Sequence, residues 1–354
     1  MPTPSGSDTA LISAEALREF GAQILMGAGT PGPAAARVAA ALVESNLVGH
    51  DSHGVLRLPQ YVKAIQAGTL NPAGELKVVR ESLATALIDC GRTFGQVAAE
   101  RGMALALEKA AQCGTGTVVL QHCDHIGRLG EYVVTAARQG YIGQVICNGS
   151  DPGGIVAPYG GSGRALGANP IAWSIPTGSE QPIFFDFATS VVAQGKLVVA
   201  ADRGEDVPEG WLLDKHGQPT RKPQDQFDGG VILPFGGHKG YALSMMIEAI
   251  GGGLSGVGFA ITPGYRWNQG TVLTAIDVNA FQPRAEFEKE VVELARRLKE
   301  TPLAAGFDEI LMPGDVEWRS RAQRARDGIP MAQNTWDRLT QLAATLGVAP
   351  GRLL

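Results

Sequence analysis

The chain has 354 residues, 44% of them apolar and 18% charged, and a formal net charge of −5. Such a composition suits a soluble globular protein with a large core in two or three domains, and it argues against long disorder. No basic tract is present, which argues against a nucleic-acid partner, and no run approaches the roughly 20 apolar residues of a membrane helix.

Residues 1–9 are polar and expected to fray, and they lack the basic start and apolar run of a secretory signal. A cytoplasmic location is therefore expected. A helix begins near Ser13, with Leu17, Phe20, Ile24 and Leu25 on one stripe. "GTPGP" at 29–33 breaks it, and "PAAARVAAALVESNL" forms a second helix. Pro59 opens a third that runs to Gly68.

From about residue 77 the texture changes. "LKVVRE" and "ATALIDC" read as strands, and "GQVAAERGMALALEKAAQCG" as a helix ended by Gly114. "TGTVVLQHC" and "IGQVICNGS" read as strands with the helix "RLGEYVVTAARQGY" between them. Further strands fall at "NPIAWSIP" and "IFFDFA", and "SVVAQGKLVVAADRG" reads as a helix. Residues 204–230 are polar and turn-rich, as in an excursion over the surface. "HKGYALSMMIEAIGGGL" is an apolar helix, buried or at a subunit interface, and "PRAEFEKEVVELARRLKE" is amphipathic and exposed. A last helix, "NTWDRLTQLAATLGV", has Asn334 as its expected cap. Cys90, Cys113, Cys123 and Cys147 form no CxxC pair and read as buried reduced thiols, and no metal site is expected.

"HDSHGVLRLPQY" at 50–61 gathers chemistry. His53 can exchange a proton near neutral pH. Arg57 can hold a carboxylate through two parallel hydrogen bonds. Ser52 can orient a neighbour, and Tyr61 can hydrogen-bond a substrate. The competing interpretation is a capped turn with solvent-facing side chains. In "HCDHIGRLGEY" at 122–132, His125 lies between a strand end and a helix start, where sites gather, whereas His122 reads as structural. Amides of Gly127, Arg128, Leu129, Gly130 and Glu131 would face a bound anion such as a cofactor phosphate. "PFGGHKGYAL" brings His238 and Lys239 to a helix start, which fits phosphate or a plain turn equally. "LMPGDVEWR" at 311–319 is a turn with possible phosphate or adenosine contacts. "GGSGRALGAN" at 160–169 misses the dinucleotide fingerprint spacing and precedes a strand, so an ordinary Rossmann domain is disfavoured.

Together "DSHGVLRLPQYV", "HIGRLGEY", "VAPYGGSGRALGANPIAW", "DFATSVVAQGKLVVAADRGEDVPEGWLLDKHGQPT", "PFGGHKGYALSMMIEAIGGGLSG" and "LMPGDVEWR" resemble, in this order, the malate/L-lactate dehydrogenase family of NAD(P)-dependent oxidoreductases. Ureidoglycolate, sulfolactate and 2,3-diketogulonate oxidoreductases and a piperideine-2-carboxylate reductase are also members. The resemblance spans roughly 13 to 346. It implies a non-Rossmann α/β fold with a mostly antiparallel central sheet flanked by helices. A helical domain is drawn from the termini (1–76 with 306–354), and a central domain (77–305) carries the sheet, cofactor site and interface.

It also implies a homodimer, NAD or NADP as cofactor, and a small 2-hydroxy or 2-oxo acid as substrate. Ser52 and His53 match the family's serine and acid/base histidine, Arg57 its carboxylate clamp, and His125 a second histidine that is the acid/base in some members. Gly127 to Glu131, Asp186, Phe187 and Ala188, and Pro313, Gly314 and Asp315 through Arg319 match cofactor-contacting segments. Ala168 and Asn169, substrate and cofactor contacts by this match, stand where the family usually has Thr-Asn. Lys196 stands where the imine-reducing branch has an aspartate, which favours hydroxy acids. Arg128 and Leu129 replace small residues, and His238 a frequent tyrosine.

Overall fold

The computed structural model describes residues 9–149, 152–266 and 268–349. The expected fraying of residues 1–9 falls, except for Thr9, outside the described residues.

In chain order the elements are β1 (Thr9–Ile12), α1 (Ala14–Gly27), α2 (Gly32–Leu47), α3 (Leu58–Gln66), β2 (Lys77–Glu81), β3 (Thr85–Asp89), α4 (Gly95–Cys113), β4 (Thr115–Cys123), α5 (Gly130–Arg138) and β5 (Tyr141–Cys147). There follow β6 (Ile171–Ile175), β7 (Ile183–Phe187), α6 (Gln194–Arg203), β8 (Leu212–Leu213), β9 (Pro219–Thr220), α7 (Pro223–Phe227), β10 (Val231–Ile232) and α8 (His238–Ser255). The last are β11 (Gln269–Asp277), α9 (Arg284–Lys299), α10 (Asp315–Asp327), β12 (Ile329–Ala332) and α11 (Gln333–Thr345).

A seven-stranded sheet in the order β2-β3-β4-β11-β5-β6-β7 forms the centre. Every neighbouring pair is antiparallel except β3 and β4. That parallel pair is joined by α4, the crossover such a pair requires. Apolar side chains of α4 and α5 pack on the sheet around Val118, Leu120, Val145 and Leu273. A second core joins the two ends of the chain: Leu17, Phe20, Leu42, Leu58 and Tyr61 meet Met331, Trp336 and Leu339. The sheet is thus α/β and mostly antiparallel, as the resemblance implies.

Local signals explain several boundaries. Ser13 Oγ accepts a hydrogen bond from the Ala16 amide (3.1 Å) and caps α1. Gly114 closes α4 with φ of +83°, a conformation that glycine adopts without steric cost.

Other expectations need correction. Asn334 does not cap the last helix: Ala332 holds the cap position, and Asn334 lies one turn-position inside. Cys113 is exposed, whereas Cys90, Cys123 and Cys147 are buried. The helix expected from Ser190 starts only at Gln194. Residues 204–230 are more than a surface excursion. Strand β8 pairs with β10 on one side and with β9 on the other, and Val207 and Leu212 pack with Ile155, Leu166 and Leu197 in a small core.

Candidate active site

The 50–61 stretch folds as two short turns of tight helix, Asp51–His53 and Val55–Arg57, leading into α3. Asn46, near the end of α2, organises them. Its Nδ2 donates to Asp51 Oδ1 (2.6 Å), and its Oδ1 accepts from the Val55 amide (2.9 Å). Arg324 of α10 grips Asp51 through two nitrogens (2.7 and 3.1 Å), so both ends of the chain hold the loop. Gly54 leaves room for this arrangement: a Cβ there would come 2.2 Å from Asn46 Oδ1. Gly54→Ala is expected to cost about 1–3 kcal/mol by expelling the Asn46 amide. A melting temperature equal to the parent's would contradict that packing.

Ser52 Oγ and His53 Nδ1 share a hydrogen bond of 3.0 Å. Arg57 Nε donates to the Ser52 carbonyl (2.7 Å) and its Nη1 to Gln60 Oε1 (2.8 Å), which fixes the guanidinium plane. The rings of His53 and His125 stack with centroids 5.6 Å apart and planes 16° from parallel. Gly195, at the start of α6, lies on Ser52, so close that a Cβ there would be 2.8 Å from Ser52 Cβ. His125, distant in sequence, therefore shares one place with His53 and Arg57.

Tyr61, expected to touch substrate, is only 1% exposed. Its hydroxyl accepts from Gln96 Nε2 (2.7 Å) and is bonded to His125 Nδ1 (2.8 Å). With Gln96 donating, the phenol proton is free to go to Nδ1, an arrangement in which neutral His125 carries its own proton on Nε2. The Tyr61 hydroxyl is thus engaged by Gln96 and His125. Gln96 escapes detection in the sequence because a single glutamine in the first turn of an alanine-rich helix carries no pattern.

Electrostatics follow from burial and charge. Burial, then Arg57, His50 and Arg128, depress the His53 imidazole to about 3. Burial, Arg57 and His53 hold His125 well below the usual histidine range. Both rings are neutral at pH 7. Burial also lowers Arg57, and it pushes the carboxyl of Asp124, beside His125, up to about 6.

The segment expected to contact cofactor is placed differently from its simplest interpretation. The start of α5 is not an open anion hole, because Asp186 Oδ2 already accepts from the Gly130 amide (2.7 Å). Burial raises the Asp186 carboxyl, and neighbouring cations and amides offset part of that rise. Glu131 pairs with Arg37 (3.0 Å). Leu129 is buried, and Gly127 turns the chain above Gln96 with φ of +74°. The Phe184 amide donates to the Pro313 carbonyl (3.3 Å), which brings the β7 and 313–319 segments together near Gly314.

Among the other expected site residues, Asp315, Arg319, His238, Asn169 and Ala168 have partners other than His53 and His125. Asp315 pairs with Lys299 (2.6 Å), and Arg319 with Glu309 on the surface. His238 and Lys239 are exposed at the start of α8, with His238 edge-on to Tyr159. Phe187 is exposed beside Phe185 and Phe235, and Ala188 is half-buried. Asn169 has no exposure. Its amide donates to Ser244 and to Glu248 Oε2 (2.9 Å), so its side chain braces α8 and none of its bonds reaches the histidines. Ala168 is half-buried, and its carbonyl accepts from Thr189 Oγ1 (3.0 Å). His122 bonds Asp89 (2.9 Å), a structural role as expected.

Paired neutral imidazoles beside a fixed guanidinium are the equipment of proton transfer on an anionic substrate. The family model described as malate/L-lactate dehydrogenase matches residues 12–340. The chain is 38% identical to the malate/(S)-sulfolactate dehydrogenase of Methanothermus fervidus, over 96% of this chain and 98% of that one. It is 37% identical to a malate dehydrogenase of Pyrococcus abyssi over 95% of each. The fold superposes on the malate dehydrogenase of Entamoeba histolytica with a TM-score of 0.90 at 29% identity, over 96% of this chain and 99% of that one. The protein belongs to the malate/L-lactate dehydrogenase family. It is a dehydrogenase that interconverts 2-hydroxy and 2-oxo acids, and that reaction implies a nicotinamide cofactor.

Proposed function

We propose that the protein is an NAD(P)-dependent dehydrogenase of a small malate- or lactate-like acid, with His53, His125 and Arg57 as its working groups. The observation that carries this is the stacked imidazole pair, 5.6 Å between centroids, next to Arg57 on this family's fold. The residues present fit a dinucleotide. Phe187, His238 and Lys239 are exposed, and Arg128 carries a buried guanidinium with unpartnered nitrogens. When bound, the nicotinamide supplies or accepts the hydride.

Arg57, held by Ser52 and Gln60, presents its remaining N–H groups to the substrate carboxylate. His125, as a neutral ring, donates a hydrogen bond from Nε2–H to the substrate's C2 oxygen and keeps its proton, with Nδ1 held as an acceptor by Tyr61 and Gln96. His53 moves the proton. Ser52 Oγ can accept from its Nδ1–H, which leaves Nε2 free to take the hydroxyl proton in oxidation and return it in reduction. An anionic substrate beside the two rings offsets the charge of Arg57 and allows His53 to become cationic.

Lys196, exposed on α6 beside the Gly195–Ser52 contact, would repel a cationic imine, which supports a hydroxy acid as substrate. We place the enzyme in the cytoplasm, where its four free cysteines stay reduced. We also take it to be a homodimer. One face of α8 leaves Met245, Met246, Ile250 and Leu254 36–59% exposed, an apolar stripe suited to a second copy. We further propose that the helical unit drawn from the chain ends (1–76 with 306–354) and the sheet unit (77–305) are its two domains.

Incubating the protein with a panel of 2-oxo acids and with NADH or NADPH, and following nicotinamide absorbance, tests the proposal. Oxidation of one cofactor by oxaloacetate or pyruvate is expected. Reduction of a cyclic imine with no turnover of any 2-oxo acid would contradict it.

A further inference from the structure

Arg128 is 5% exposed, and among the described residues neither Nε nor Nη1 has a hydrogen-bond partner. Burying a guanidinium with two unbonded nitrogens is costly, so the fold must gain something by keeping it. Its place is built. The guanidinium lies over the Phe184 ring, 5.9 Å from the centroid. Gly130 makes room for it, since a Cβ there would come 2.3 Å from Nη1.

Glu131, Asp186 and Glu317 all lie within range of its charge. Each is engaged elsewhere: Glu131 with Arg37 (3.0 Å), Asp186 with the Gly130 amide (2.7 Å) and Glu317 with His50 (3.3 Å). Arg128 also bears on His53, as Arg57 does, so guanidinium charge reaches that ring from two side chains.

We propose that Arg128 anchors a second oxyanion subsite beside His53. It accepts an anionic oxygen group other than the carboxylate held by Arg57. That group is either the distal acid group of the substrate or a phosphate of the dinucleotide. The inference rests on the proposed dehydrogenase function. A malate or sulfolactate skeleton carries such a second anion, and a lactate skeleton does not.

The test is Arg128→Met, close in length and uncharged, assayed in the full-length protein. Without ligand its melting temperature should equal or exceed the parent's, because an unpaired buried charge has been removed. If the subsite reads the substrate's distal group, kcat/KM should fall more for oxaloacetate than for pyruvate, by about 10²-fold, with the reduced dinucleotide's Kd unmoved. If it reads a phosphate, that Kd, titrated by fluorescence, should rise about tenfold or more, and both acids should lose rate together. Arg128→Lys should recover part of either loss.

An unmoved Kd with an unmoved oxaloacetate-to-pyruvate ratio would overturn the proposal. So would a lower ligand-free melting temperature or loss of assembly, since Arg128 would then be a structural charge paired within the fold or across a subunit contact. A parent protein that reduces no 2-oxo acid would overturn the proposed function instead, and the melting and Kd measurements would still decide the subsite.

Discussion

His53→Ala is expected to lower turnover by about 10²–10⁴, the range for losing a proton-transfer group. His125→Ala is expected to lose about 10²–10³, as when one preorganised donor to a developing oxyanion is removed. The two variants should differ more clearly in pH dependence. The overall equilibrium fixes how the ratio of the two directions varies with pH, so a mutation can only shift that dependence from one direction to the other. Without His53 the hydroxyl proton must leave to solvent, and oxidation should then rise with pH. Without His125 the distribution should remain that of the parent, because His53 and Ser52 keep their 3.0 Å bond. Steady-state profiles in both directions check this. If His125→Ala shows the shift and His53→Ala does not, the two roles are reversed. If neither loses turnover, the mechanism fails.

Arg57→Lys is expected to raise KM for the acid by about 10- to 100-fold, with a smaller effect on kcat, because an ammonium cannot reproduce a two-pronged contact. The structure adds a second cost. Arg57 Nε holds the Ser52 carbonyl at 2.7 Å, and Ser52 in turn holds His53, so lysine also loosens the ring. Equal KM values in variant and parent would remove Arg57 from the binding site.

The site was legible where its residues are close in sequence and was hidden where folding brings them together. Ser52, His53, Arg57 and Tyr61 occupy one motif, and their chemistry could be named from residue types. That the Tyr61 hydroxyl meets His125 depends on a contact across 64 positions. Asp186 filling the start of α5 spans 56. No local pattern encodes such distances.

The fold shows the same division. Helices with a clear apolar stripe, such as α1 and α2, fall where the sequence places them. Strand β11, between β4 and β5, was not recognised from sequence. Gly270–Leu273 are all buried, so the strand lacks the alternation that marks a half-buried strand. Helix α10 reads as a turn because its sequence, "DVEWRSRAQRARD", is almost wholly polar and buries only Trp318. The cap expected at Asn334 yields to strand β12, which runs directly into α11 and leaves no separate capping turn.

The most direct test is the pH profile of kcat/KM for the parent enzyme in both directions, between about pH 5 and about pH 8, the window in which an ordinary histidine titrates. Burial and the neighbouring guanidinium groups keep both imidazoles neutral in the empty site, with His53 at about 3. The hydroxy-acid direction should therefore stay level across the window, and the oxo-acid direction should fall about tenfold per pH unit without a bend. A bend in both directions near 6.5, the value of an unperturbed imidazole, that persists in Asp124→Asn, whose parent carboxyl lies at about 6, would show that the proton is carried by a group the fold has not shifted.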